Sequence, residues 1–208
     1  MDMMLLIFGI IFFIVITVAL LGKKDKGKDG EAKVSRALNK SFGKNLDYVV
    51  LNDVLLKEND DSTQIDHIVF SVYGIFVIET KNYSGYIYGD EDKKTWTQHF
   101  KKKKFSFQNP HRQNYKHLKF LSEILNIDMN KMLSLVVFVG DAKFKNNGKK
   151  RTFKNTRDLN SFIKKHKLKK FTRQHIFSMS DKIKDRNLNK IKKEEKAHIK
   201  RVQKRIKK

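Results

Sequence analysis

The chain of 208 residues contains no cysteine and a single proline, Pro110. The absence of cysteine excludes a disulfide-stabilised scaffold and any zinc site with thiolate ligands, and it fits a reducing compartment. Acidic residues are also scarce: 22 acids oppose 46 lysines and arginines, which gives a net charge of +24. This excess of positive charge favours an anionic partner, either nucleic acid or a membrane surface.

The apolar residues are concentrated at the amino terminus. Residues 3–21 contain no charged side chain, and this stretch is just long enough to cross a bilayer core of about 30 Å. No basic residue precedes it and residues 18–22 form a poor cleavage site, which favours an uncleaved anchor over a signal peptide. Because lysines follow the stretch, we expect a single-pass membrane protein with its amino terminus outside and its carboxy-terminal domain in the cytoplasm.

The rest of the chain has the pattern of an α/β domain. After the anchor (residues 1–22) and a charged tether (23–29), the domain is expected at residues 30–170, followed by a basic, helical tail at 171–208. The expected helices begin at Gly30, Pro110 and Thr156, and the expected strands are Tyr48–Leu51, Val54–Leu56, Gln64–Phe70, Ile75–Lys81, Gly85–Tyr88, a segment around Trp96, and Leu133–Val139. This order predicts a mixed sheet flanked by helices.

The most informative segment predicts a hairpin that runs from Gln64 to Lys81 and turns at residues 72–73. In this register Asp66 lies opposite Glu79 and Gln64 lies opposite Lys81, all on one face. Two facing carboxylates destabilise a sheet unless a cation offsets them, and Mg²⁺ favours one or two carboxylates together with water and phosphate oxygens. The lysine could orient or deprotonate a water, or stabilise charge on a phosphate. The alternative is a surface ion cluster with no catalytic role.

Two further polar residues fall near this site in the pattern. Glu31 lies on the apolar side of the first helix, where it either joins the carboxylates or is placed by the helix dipole. Gln113 lies in the first turns of the helix that begins at Pro110, and it either supports the site or is simply solvated. His67 alternates to the face opposite Asp66, so we expect it to pack structurally rather than bind metal.

Basic residues form two clusters. The first cluster consists of Lys101, Lys102, Lys103 and Lys104, flanked by phenylalanines. The second is the tail segment 181–208, which has the pattern of an amphipathic helix. Both clusters could attract the phosphates of nucleic acid, and the tail could instead contact anionic lipid or be a solvated, lysine-rich segment.

Four motifs resemble the nuclease-related domain (NERD) family, which is similar to the PD-(D/E)xK nuclease superfamily. They are Gly27-x-x-Gly30-Glu31, Gln64-Ile65-Asp66-His67-Ile68, Gly74-Ile75-Phe76-Val77-Ile78-Glu79-Thr80-Lys81-Asn82-Tyr83 with Gly85, and Asn109-Pro110 with Gln113. The resemblance implies a restriction-endonuclease-like core. Within that core it implies Mg²⁺ (or Mn²⁺) on Asp66 and Glu79, with Glu31 as the first-helix acid that joins the metal site. It also implies a catalytic role for Lys81 and a supporting role for Gln64.

The sequence thus leads to a first expectation: a membrane-anchored, metal-dependent nuclease that hydrolyses phosphodiester bonds in nucleic acid, with DNA favoured over RNA. A second is a non-catalytic nucleic-acid-binding or scaffold protein tethered at the cytoplasmic membrane face. A third is a purely structural protein of the membrane surface.

Overall fold

The computed structural model describes residues 25–58, 60–90, 92–145, 151–189 and 191–192. Its helices are α1 (Lys26–Phe42), α2 (Pro110–Leu125), α3 (Thr156–Lys165) and α4 (Arg173–Arg186), with a 3-10 turn at Met129–Lys131. Its strands are β1 (Tyr48–Glu58), β2 (Asp61–Ser71), β3 (Gly74–Lys81), β4 (Gly85–Tyr88), β5 (Thr95–Phe100), β6 (Lys103–Gln108), β7 (Met132–Phe138), β8 (Ala142–Phe144) and β9 (Thr152–Phe153). The predicted anchor lies outside the described residues, and none of the helices within them is long and apolar enough to cross a membrane.

The larger sheet is mixed, as the order of elements predicts. Its strand order is β1-β2-β3-β7-β9, with β2 antiparallel to both β1 and β3, and β7 parallel to both β3 and β9. The β2–β3 hairpin has the expected register, in which Phe70 pairs with Ile75 and Ile68 with Val77. All eight residues of β3 except Lys81 are buried, because helices cover both faces of the strand.

Helices α1 and α3 pack on one face of this sheet, and α2 and α4 pack on the other. The first layer buries Val34, Leu38, Phe42, Leu159 and Ile163 against the sheet. The second buries Leu118, Leu121, Ile176 and Ile183. Helix α4, which follows the predicted domain end at residue 170, therefore contributes to the core. The sequence pattern missed this because most residues of α4 are polar or charged, and only a narrow stripe of the helix is buried.

Two further boundaries differ from the prediction. Helix α1 begins at Lys26 rather than Gly30, because the Asp25 side chain caps it by accepting from the Gly27 N–H at 3.0 Å. Residues 26–29 are thus helix rather than tether. Strand β1 is continuous across the predicted break, with Asp53 in the left-handed region at φ 53°. Pairing with β2 on both sides of Asp53 keeps the strand in one register.

A second, four-stranded sheet has the order β6-β5-β4-β8. Its strand β6 was not predicted, because the lysine run at its start has low strand propensity. The sheet packs Ile87 and Trp96 against Val136 and Phe138 of β7. It thereby forms a wall beside the end of β3.

The first turn of α1 is fixed against the end of β3 by a close approach at Gly30. A Cβ atom at Gly30 would lie 2.7 Å from the Cβ of Asn82, which is closer than two carbon atoms can pack. The Asn82 side chain also donates to the Lys26 carbonyl at 2.7 Å. This contact fixes the position of Glu31, the next residue of α1.

We expect Gly30→Ala to lower the free energy of unfolding by about 1–3 kcal/mol, because the added methyl group forces α1 away from Asn82. Gly27→Ala is the matched control on the same helix turn, where the nearest atom is the Asp25 carboxylate at 3.2 Å. Helix propensity alone favours alanine by about 1 kcal/mol at both positions. Urea unfolding of the two variants measures the difference, and equal stabilities would contradict the proposed close contact.

Candidate functional site

A cavity of about 520 Å³ opens at the end of β3. Its walls come from the first turns of α1, from β2 and β3, from α2 and from the second sheet. The cavity brings together the six residues predicted to form or support a site: Glu31, Gln64, Asp66, Glu79, Lys81 and Gln113. The four predicted nucleic-acid-binding lysines do not line it; they are exposed at the β5–β6 turn and at the start of β6.

Asp66 lies where the backbone pairing of the β2–β3 hairpin stops. The last paired residues are His67 and Ile78, and beyond them the Asp66 carboxylate accepts a hydrogen bond from the Thr80 N–H at 2.8 Å. A side-chain oxygen has thus replaced the strand carbonyl as acceptor. The predicted pairs Asp66–Glu79 and Gln64–Lys81 are consequently not formed as backbone partners, although all four side chains line the same cavity.

The carboxyl of Asp66 is held in a setting that disfavours its ionised form. Burial first, and then the negative charge of Glu79, raise its pKa to about 8, although the hydrogen bond from the Thr80 N–H opposes the increase. Glu31, across the cavity, has its pKa raised by burial and then by the charges of Asp53 and Glu79. The site therefore concentrates negative charge with little water to screen it.

Glu79 differs from Asp66 and Glu31 because its surroundings favour the ionised form. Its side chain is only 2% exposed, and the Lys81 ammonium lies 2.6 Å from its Oε1 atom. Burial raises the pKa of Glu79, but the His117 imidazole and the Lys81 ammonium outweigh this effect and hold it below its usual value. Glu79 is accordingly the ionised member of the pair that it forms with Asp66.

Lys81 connects β3 to α2. Its Nζ atom donates to Glu79 and, at 3.2 Å, to the side-chain carbonyl of Gln113. Burial lowers the pKa of Lys81, but the charge of Glu79 more than compensates, so the pKa lies above its usual value. A lysine held in its charged form fits the stabilisation of a phosphate better than the removal of a proton from water.

Sequence reasoning did not assign His117 to the site. Its Nε2 atom lies 3.5 Å from Glu79 Oε2, and its Nδ1 atom lies 2.6 Å from the Thr63 hydroxyl. Among the described residues, neither Glu79 Oε2 nor His117 Nε2 has a hydrogen-bond partner. The spacing of four from Gln113, which places both residues on one face of α2, was the signal that could have identified it.

The other predicted polar residues have structural partners. The Gln64 amide donates to Asp53 at 2.9 Å rather than to Asp66. His67 is buried, with its ring nitrogens 2.7 Å from Asn52 Oδ1 and 3.1 Å from Thr80 Oγ1, and it does not line the cavity described above. This structural role is the one that the alternation of side chains along β2 predicts for His67.

A divalent cation fits the donor set in part. In the described part of the chain no three His, Asp or Glu side chains converge as metal ligands, so Glu31, Asp66 and Glu79 do not form a three-carboxylate cage. Mg²⁺ needs only one or two carboxylates, since water and phosphate oxygens complete its shell. The buried Glu79 Oε2 atom without a hydrogen bond and the disfavoured charge of Asp66 are features that such an ion would satisfy.

The sequence of this chain is similar to those of known proteins. Residues 26–139, more than half of the chain, match the model of the nuclease-related domain family. The chain belongs to the NERD family. Uncharacterized protein pXO1-01 of Bacillus anthracis is 51% identical over 102 residues, which are 49% of this chain and 48% of that protein. The NERD chain therefore spans about half the length of this relative, and no solved structure matches it.

We expect Asp66→Asn to stabilise the NERD fold more as the pH rises. The pKa of folded Asp66 is raised to about 8, whereas an unfolded aspartate ionises at about 4. The contribution of Asp66 to the wild-type free energy of unfolding therefore falls with rising pH between these values, by up to about 1.4 kcal/mol per pH unit, and asparagine abolishes that contribution. Urea unfolding in EDTA from pH 5 to pH 8 measures the difference in free energy of unfolding between Asp66→Asn and the wild type.

The comparison of these two proteins isolates Asp66, because other titrating groups, including His67, are common to both and cancel. If this difference in free energy of unfolding stays constant or becomes smaller as the pH rises, Asp66 ionises normally in the folded protein.

We expect His117→Ala to lower the free energy of unfolding by about 1–3 kcal/mol, because Thr63 and Glu79 each lose a buried polar neighbour. His117→Gln, which retains a side-chain donor, should recover part of the loss. His175→Ala on the exposed side of α4 is the matched control and should be close to neutral. Equal stability of the His117 and His175 variants in urea unfolding would contradict a structural link between α2 and Glu79.

Proposed function

We propose that this NERD protein is a metal-dependent nuclease that hydrolyses phosphodiester bonds in nucleic acid, with DNA as the favoured substrate. The observation that carries the proposal is the convergence of Asp66, Glu79 and Lys81 on one cavity. A buried carboxylate, a half-buried one and a charged lysine are the components of metal-assisted phosphodiester hydrolysis. An ion cluster without a function would be expected on the surface, where its charges are solvated.

Each residue of the cavity has a role in this proposal. Asp66 and Glu79 would hold Mg²⁺ (or Mn²⁺), which when bound supplies a water of lowered pKa and polarises a phosphate oxygen. Lys81 would stabilise the negative charge that develops on the phosphate. Gln113 positions Lys81 through its hydrogen bond of 3.2 Å. Glu31 lies close enough to contribute to the electrostatic field of the site.

The surrounding charge supports an anionic substrate. Lys26 lines the cavity together with Phe100, and the lysines at residues 101–104 follow Phe100 directly on an exposed turn. These cations offset the acids of the cavity, which would otherwise repel phosphates.

The proposal includes a location at the membrane. The uncharged segment at residues 3–21 would anchor the chain in the lipid bilayer, and the lysines that follow it would keep the NERD domain on the cytoplasmic side. The basic residues of the tail could then contact anionic lipid headgroups. The nucleic acid would be bound close to the inner membrane face.

One observation favours a second candidate, a non-catalytic nucleic-acid-binding or scaffold protein. Glu79 is paired with Lys81 at 2.6 Å, so the ion pair satisfies one carboxylate oxygen without any metal. A NERD domain that only binds would show salt-dependent affinity for nucleic acid that is indifferent to Asp66→Asn and to a chelator.

We expect the full chain to cut nucleic acid when Mg²⁺ or Mn²⁺ is present and to stop when EDTA is added. Lys81→Met should lower the rate by about 10²–10³-fold, as the loss of a transition-state donor does in other enzymes. The matched control is Lys33→Met, because Lys33 is also held by a hydrogen bond, to the Val139 carbonyl at 3.2 Å, but does not line the cavity. Labelled single-stranded DNA, duplex DNA and RNA serve as substrates.

Failure to cut all three substrates with either metal would refute the nuclease proposal. Full activity of Lys81→Met would refute the assignment of the lysine. Binding of nucleic acid without cutting would instead support the second candidate.

A further inference from the structure

The outer face of the second sheet carries an unusual combination of side chains. Strands β4 and β5 each bury one residue in the core and turn the neighbouring side chains towards the opposite face, and β6 buries none. Residues Ile87 and Trp96 point inwards and are each 1% exposed. The residues that alternate with these two along the strands point outwards. They are aromatic, small and polar, or basic.

Cross-strand pairing places four of these residues in one row. Tyr86 pairs with Lys143 on one side and with His99 on the other, and His99 pairs with Lys104. Since paired residues point to the same face, the row reads lysine, tyrosine, histidine, lysine across the sheet. Four strands at the usual spacing make this row about 14 Å wide.

Aromatic rings remain accessible on this face. Tyr86 is 40% exposed, and the Lys145 ammonium lies 4.5 Å from the centre of its ring. Tyr88, two residues along β4, has its ring centre 4.5 Å from that of His99. Tyr88 and His99 are both half-buried, and the neighbours of Tyr88 across the sheet, Thr97 and Ser106, are small.

The charge of the face is entirely positive among these residues. Lys104, Lys143 and Lys145 are exposed, and none of them is in an ion pair with an acid of the described chain. Unpaired lysines beside accessible rings are the two components of a single-strand binding surface: the rings stack on bases and the ammonium groups contact the phosphates.

We propose that the outer face of the second sheet, formed by Tyr86, Tyr88, His99, Lys104, Lys143 and Lys145, binds single-stranded nucleic acid. Stacking on these rings requires bases whose faces are free. In a duplex the bases already stack on one another, so the same surface would contact only the backbone. The face therefore distinguishes single strands from duplexes.

The position of the face deepens the proposed nuclease function and, in this respect, rests on it. Gln98 and Phe100 of β5 line the cavity that holds Asp66 and Glu79, whereas His99, between them, points to the outer face. The same strand thus borders both surfaces. A single strand bound on the outer face would pass the exposed turn after Phe100 to reach the cavity, which makes single-stranded nucleic acid the substrate class.

The binding test uses the full chain and a fluorescent 20-nucleotide oligonucleotide of mixed sequence, either single-stranded or annealed to its complement. Fluorescence anisotropy is measured in EDTA, so that cutting does not interfere. We expect tighter binding of the single strand, and about a tenfold loss of affinity for Tyr86→Leu and for Tyr88→Leu, because one stacked base is lost in each case. Tyr86→Phe should bind normally, since the ring remains.

The matched aromatic control is Phe177→Leu on α4, because Phe177 is 39% exposed but lies away from the second sheet. It should leave affinity unchanged. For the charges, Lys104→Gln and Lys143→Gln should each reduce the slope of log affinity against log salt concentration by about 0.7. Lys182→Gln, an exposed lysine on α4, is the control for a general effect of net charge.

The proposal is overturned if the duplex binds as tightly as the single strand, or if the Tyr86 and Tyr88 variants bind like Phe177→Leu. It is also overturned if the Lys104 and Lys143 variants lose affinity for anionic phosphatidylserine vesicles but not for the oligonucleotide. Failure of the nuclease proposal has a different signature: binding that depends on Tyr86, with no cutting in Mg²⁺. Cutting that is abolished by Lys81→Met but insensitive to Tyr86→Leu would refute only the binding face.

Discussion

The arrangement of the site depends on the hydrogen bond from the Thr80 N–H to the Asp66 carboxylate. This bond lies where the backbone pairing of β2 and β3 ends, at the mouth of the cavity that both strands line. It also holds a carboxylate beside Glu79 although burial and like charge both disfavour its ionised form. A sheet that simply continued its ladder would have placed the same residues in a closed, paired edge.

The remaining polar contacts compensate for that concentration of charge. Glu79 is held from two directions, by the Lys81 ammonium on its own strand and by the His117 imidazole on α2. Lys26 lines the cavity, and the lysines at residues 101–104 are exposed next to it. Because a buried charge without a partner is strongly destabilising, the ion pair with Lys81 stabilises Glu79 in this cavity, and the nearby lysines attract the phosphates that would reach it.

The hairpin and the residues of the site could be predicted because they depend on local patterns of period two and on short motifs. The contribution of His117 could not, since it depends on how α2 crosses the sheet. Continuity of β1 through Asp53 and the inclusion of α4 in the core likewise depend on partners distant in sequence. Strand β6 was missed for a related reason: pairing with β5 overrides the low strand propensity of lysine.

Strand β5 shows how one element can serve two surfaces. Its period of two sends Gln98 and Phe100 towards the cavity and His99 towards solvent, while Trp96 fixes the strand in the core. Any shift of its register by one residue would exchange the two sets and place a threonine where Trp96 stacks on Phe138. The buried tryptophan therefore maintains both the wall of the cavity and the aromatic and basic outer face, so the two surfaces cannot vary independently.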